Sequence, residues 1–217
     1  MRTTNGRPEP IKWRPFRRPS RLVPTAAIIT ALIAAIALAN GWGNSQPAQA
    51  EDSPTAGIPH SRQGAQQAAT TMARALGTEA IYDPAARHDL VDTLVHPSQR
   101  DEMQKRMDAQ YTAFNQKIGL DSKGQPPAGA TFASRTMPAG VTLRSYGEDA
   151  TVDVWFSSLF GLTGSTVVDE IPMDTGWYTM TMTLRWADDD GWKLIKFTQQ
   201  DGPEPDNADS IGEAPQP

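Results

Sequence analysis

His88, Asp92 and His96 stand at i, i+4 and i+8, a spacing that aligns them along one face of a helix. Imidazoles and a carboxylate in that pattern are metal-ligand chemistry. However, Pro97 ends any helix beside His96, and three ligands on one short helix rarely converge on one ion. A solvated polar face is the favoured reading, and His60 stands apart from it. The run Asp188-Asp189-Asp190 suggests calcium, but an EF-hand loop needs acids at alternate positions and a closing glutamate, and position 199 is Gln. It reads as a polar hairpin turn. Asp153 lies in an apolar strand, where a buried carboxylate would have a raised pKa and could act as a base. It alternates with Val152 and Val154, so it belongs to the opposite face, expected to meet solvent. Gly161-Leu162-Thr163-Gly164-Ser165 lacks the lysine of a P-loop and the order of a nucleophile elbow, and is expected to be a loop. With no cysteine anywhere, a disulfide framework, a cysteine zinc site, an iron–sulfur cluster and a thiol nucleophile are excluded. No catalytic, cofactor-binding or metal-binding residue is assigned, and no cofactor is expected.

The elements that carry these residues follow from periodicity. Ala65, Ala68, Ala69, Met72 and Leu76 form a helical stripe, with Ser61 as its cap and Gly77 as its stop. Asp83-Pro84 reads as cap and first-turn proline of a second helix, whose buried side is Leu90, Val91, Leu94 and Val95. Ser98 with Asp101 suggests a capping box for a third helix, striped by Met103, Met107, Phe114 and Ile118 and closed by Gly119. Beyond it the period drops to two. Residues 131–136 and 141–146 are short strands around a turn at Pro138–Gly140, and Val152, Val154 and Phe156 mark a third. The clearest strand is Trp177–Trp186. Tyr178, Met180, Met182, Leu184 and Trp186 share one face, with Trp177, Thr179, Thr181, Thr183 and Arg185 on the other. Trp192–Thr198 returns as the last strand. Helices first and a meandering antiparallel sheet second is an α+β layer arrangement.

The ends of the chain differ from this body. Seven bases against one acid give residues 1–21 a charge of +6, which leaves −11 on the other 196 residues of a chain whose net charge is −5. An acidic body argues against nucleic acid as a partner. Leu22–Ala39 is uncharged and would span about 27 Å as a helix, just short of a roughly 30 Å hydrocarbon core, with Trp42 as an interfacial anchor. The basic flank places the amino terminus in the cytoplasm and the rest outside. Ala48-Gln49-Ala50 also fits a signal-peptidase site, so cleavage after residue 50 is the alternative to an uncleaved anchor. The expected organisation is a basic cytoplasmic segment (1–21), a transmembrane helix (22–42), a flexible linker (43–59), one extracytoplasmic domain (60–200) and a disordered acidic tail (201–217).

Three helices followed by a sheet ending in the hairpin "LRWADDDGWKLIKF", where two tryptophans bracket an acidic turn, resemble the NTF2-like fold, a cone of helices against a curved sheet. One such domain behind a single membrane helix is similar to the bitopic scaffold components of type IV secretion and conjugation machines, especially those of Gram-positive elements. The resemblance implies a non-catalytic assembly protein of the cell membrane. Its partners would be the lipid bilayer, other subunits of a membrane complex and, where it self-associates, a second copy. Trp177, Thr179, Thr181, Thr183 and Arg185 are the candidate partner-binding face, since Trp and Arg are favoured contact anchors. The other reading of the same fold is an exported small-molecule binder or isomerase-like enzyme using the cone as its pocket.

Overall fold

The computed structural model describes residues 53–205. The basic segment, the apolar run Leu22–Ala39 and most of the acidic tail lie outside the described residues. Among the described residues no helix is long and apolar enough to cross a membrane.

Three α-helices precede four strands. Helix α1 (Arg62–Leu76) starts where Ser61 Oγ accepts from Gly64 N at 3.0 Å and stops at Gly77. Its alanines 65, 68, 69 and 73, with Met72, are fully buried against the sheet. Gly77 is required here by proximity: a Cβ at this position would lie 1.8 Å from Thr136 Oγ1. Helix α2 (Pro84–Leu94) is capped by Asp83, whose Oδ1 accepts from Ala85 N and Ala86 N. Helix α3 (Arg100–Ile118) ends at Gly119 with φ +83°, a left-handed turn that glycine adopts without strain. Its start differs from expectation. Ser98 sits inside a single 3-10 turn, Pro97–Gln99, with its hydroxyl bonded to His96 Nδ1, and Gln99 occupies the cap position without a side-chain bond. Pro97 tightens the chain one residue too early for the capping box to form. Ser61→Ala should therefore cost about 1 kcal/mol and Ser98→Ala close to nothing in urea denaturation, since only the first removes a cap.

The strands are β1 (Thr131–Tyr146), β2 (Asp149–Thr163), β3 (Ile171–Ala187) and β4 (Gly191–Asp201), hydrogen-bonded antiparallel in chain order. Two expected short strands are one long strand. Pro138–Gly140 is a register shift within β1, not a turn. β1 has a single strand neighbour, so a proline there forfeits no ladder bond that a central strand would need. Likewise Gly161, Leu162 and Thr163, expected in a loop, close β2, and the loop begins at Gly164. The inner face of the sheet buries Val152, Val154, Phe156, Met180, Met182, Leu184, Trp192 and Leu194 against the helices. A parallel bridge from Val95 to Leu194, with His96 N donating to Leu194 O at 2.9 Å, pairs part of the β4 edge.

Residues 53–59, read from composition as spacer, belong to the domain. Thr55 and Ile58 are buried, Thr55 Oγ1 donates to Trp192 O, and Trp192 Nε1 donates to Pro59 O at 3.0 Å. His60 then stacks on Trp186, ring centroids 4.6 Å apart and nearly parallel. The segment is held by Thr55, Ile58 and the Pro59 carbonyl against the aromatic β3–β4 hairpin.

Candidate functional site

The polar residues that might have gathered a metal are dispersed. His88 Nε2 pairs with Asp108 Oδ2 at 2.8 Å, Asp92 accepts from Gln104, and His96 holds Ser98. Asp188, Asp189 and Asp190 are exposed in the β3–β4 turn. Among the described residues no group of three His, Cys, Asp or Glu side chains could hold an ion.

The helix-covered side of the sheet, where a ligand pocket would lie, is packed with side chains. Trp192, Phe156, Met72, Ile81, Leu162 and Met182 are fully buried there. Tyr82 is buried among Tyr111, Phe132 and Phe160, its hydroxyl near Ser134 Oγ. Burial pushes its phenol up to about 12, and burial also raises Tyr111.

The outer face is where the charged and hydroxyl side chains collect, and it corrects one expectation. Asp153 does lie opposite Val152 and Val154, but it is not solvent-facing: it is 2% exposed. Arg144 reaches it across the register shift between Leu143 and Ser145, Nε donating to Oδ2 at 2.7 Å, and Thr181 Oγ1 donates to Oδ1 at 2.8 Å. The Asp153 carboxylate is thus held by a charge-assisted bond from the guanidinium and a second bond from the hydroxyl. Trp155 stacks on Trp177 with centroids 4.5 Å apart. Arg185 makes a two-pronged pair with Asp149, at 2.6 and 3.0 Å, and reaches Glu148 at 3.6 Å. These bonds raise the guanidinium above its ordinary value.

No family model matches the chain. No curated protein matches it either. Solved structures similar to it include the intermembrane space region of the chloroplast protein ARC6, at 15% identity over 66% of this chain and 99% of that one. CagV, a VirB8 homologue of the type IV secretion system of Helicobacter pylori strain 26695, matches at 10% identity over 63% and 99%. The periplasmic domain of DotI matches at 12% over 66% and 98%. Each has a TM-score of 0.41, a distant likeness that transfers no role.

All five residues of the candidate partner face, Trp177, Thr179, Thr181, Thr183 and Arg185, lie on the outer side, as the alternation required. They are not equally displayed. Thr179 is buried, its Oγ1 donating to Gly202 O at 2.9 Å, and Trp155 Nε1 donates to Pro203 O at 2.9 Å. The start of the acidic tail therefore crosses this face, and Asp201 completes β4 rather than opening a disordered segment. Trp177, Thr181, Thr183 and Arg185 remain partly exposed. Arg144 and the Gly202–Pro203 crossing were not singled out in the sequence. Period two places 151, 153 and 155 on one face, but nothing in the sequence marks that face as covered.

Proposed function

We propose that this domain is a non-catalytic, NTF2-like assembly module. It would be carried outside the cell membrane behind a single-pass helix at residues 22–42, in a conjugation or type IV secretion apparatus. The observation that carries the non-catalytic part is the division of the sheet: the space between it and the helices is filled by Trp192, Phe156, Met72 and Met182. Its outer side presents an aromatic and an arginine beside hydroxyls, the residue types that anchor protein contacts. The membrane and secretion parts rest on the layout of the sequence, a basic segment, an apolar run and one acidic domain. Anchoring confines the domain to a plane and raises its effective concentration for neighbouring subunits, so modest contacts suffice.

Cross-linking the full chain in intact membranes, followed by purification, tests this. The expected result is recovery with channel or coupling-ATPase subunits. Trp177→Ala should weaken that association by about 30-fold, the equivalent of a 2 kcal/mol hot spot, while the circular dichroism spectrum stays unchanged. Recovery of the chain alone, with Glu51 as its new amino terminus, would overturn the anchored assembly reading. A Trp177→Ala protein that cannot fold would remove the assignment of this face.

A further inference from the structure

We propose that the acidic segment after the described chain, residues 206–217, docks in a basic groove where the end of α1 meets the free edge of β1. The groove has a volume of about 380 Å³ and is lined by Arg74, Thr78, Arg135, Thr136, Met137 and Pro138. Arg87, Arg144 and Arg185 each hold a carboxylate. Arg74 and Arg135 are exposed and have no carboxylate partner among the described residues.

The path of the chain points there. Gly202 N donates to Trp177 O, extending the β4 ladder by one residue. The next two carbonyls turn over the outer face: Gly202 O meets the side chain of Thr179 on β3, and Pro203 O meets that of Trp155 on β2. The strand beyond β2 is β1, with Gly140 opposite Trp155, Pro138 opposite Phe156 and Met137 opposite Ser157. At about 4.8 Å per strand and 3.3 Å per residue, Met137 is roughly 10–15 Å further along the same course. Twelve more residues reach up to about 40 Å, so length sets no limit. Charge sets the occupant. Residues 206–217 contain Asp206, Asp209 and Glu213 and no lysine or arginine. Two exposed arginines bind an acidic segment weakly in trans, but a tether of this length supplies an effective concentration on the order of millimolar. Docked there, the segment would cover the outer edge of β1, which no other strand of the sheet pairs.

The absence of cysteine makes the test direct. In the full chain in detergent micelles, Ala208→Cys is paired with Met137→Cys, or with Val168→Cys on the 97%-exposed β2–β3 loop as the collision control. With a mild oxidant at low salt, the Met137 pair should close within one chain about tenfold faster than the Val168 pair, and Arg74→Gln with Arg135→Gln should erase the difference, as should molar salt. Thr78→Cys serves as a second reporter should Met137→Cys disturb the strand. Equal closure rates would overturn the proposal. Covalent dimers in place of the intramolecular product would overturn it too, and would assign the groove to the tail of a second copy.

Discussion

Trp192→Ala is expected to lower the stability of the domain by about 3–5 kcal/mol, the range for emptying a fully buried tryptophan site. At this domain size that corresponds to a fall in Tm on the order of 10 °C. Trp192 is 1% exposed and is the largest side chain the domain buries completely. It packs edge-on to Trp186 and His60, with centroids 5.5 and 5.3 Å away, and leans on Tyr146. Its Nε1–H is also the donor that fixes Pro59 O, so truncation removes both the filling of the core and the tie on residues 53–59. Trp192→Phe separates the two effects. It restores most of the apolar contact but not the hydrogen bond, and should cost about 1–2 kcal/mol more than an isosteric change while freeing amide exchange at Ile58. Thermal melts followed by circular dichroism measure the first effect and hydrogen exchange the second. A loss below about 1 kcal/mol in the alanine variant would mean that the site collapses around the gap and that the hairpin does not hold the segment.

The helices and the β3–β4 hairpin were legible because each carries its own local signal. Ser61, Gly77, Asp83-Pro84 and Gly119 act within four residues of themselves, and the alternation from Trp177 to Trp186 needs only the pleat. What could not be read depends on partners distant in sequence. Thr55 is buried and Pro59 is tied to the domain only because Trp192 stands more than 130 residues away with a carbonyl and an indole N–H to offer. Gly, Ser and Pro in that stretch spell a linker in any local reading. Proline 138 likewise reads as a turn until β2 is seen to run past it, after which the same residue is a bulge in an edge strand.

Asp153 shows the same limit at the candidate site. Alternation identified its face, and that was right. Its burial follows from three distant contributions: Arg144, displaced onto it by the irregularity at Leu143/Ser145, Thr181 across the strand pair, and neighbouring outer-face side chains. A strand face without helices over it need not be a solvent face. Here the chain's own carboxyl-terminal turn lies over the Thr179–Trp155 end of the sheet, so the surface left for a partner is narrower than the alternation implied and is centred on Trp177, Thr181, Thr183 and Arg185.

The other large effect expected is at Arg87, which is 1% exposed although it is charged. Its Nη1 donates to Ile81 O, its Nε and Nη2 grip Asp108 Oδ1 at 3.0 and 2.7 Å, and its guanidinium stands 5.3 Å from the Tyr111 ring. It thereby ties α2 to α3 and to the 3-10 turn Glu79–Tyr82. Arg87→Met keeps the stem and removes three donors, leaving Ile81 O buried without that partner, and should cost about 2–3 kcal/mol. The loss stays below the 3–5 kcal/mol typical of breaking a fully buried pair, because Asp108 retains water and His88. The pH profile isolates the pair. Burial alone would raise the Asp108 carboxyl, but bonds from Arg87 and His88 and the charges behind them outweigh it and hold the group below its ordinary 3.8. A carboxylate with a depressed folded pKa contributes stability that is present above the unfolded value and is lost as pH falls through the folded one. Wild-type stability should therefore drop as the pH is taken from about 5 down through the carboxylate range, and Arg87→Met should flatten that drop by returning Asp108 toward its ordinary value. Urea midpoints across the acid range, compared with Asp108→Asn and the double variant, give the coupling directly. An unchanged acid slope in Arg87→Met would show that His88 alone holds Asp108, and that the arginine serves Ile81 rather than the link between the helices.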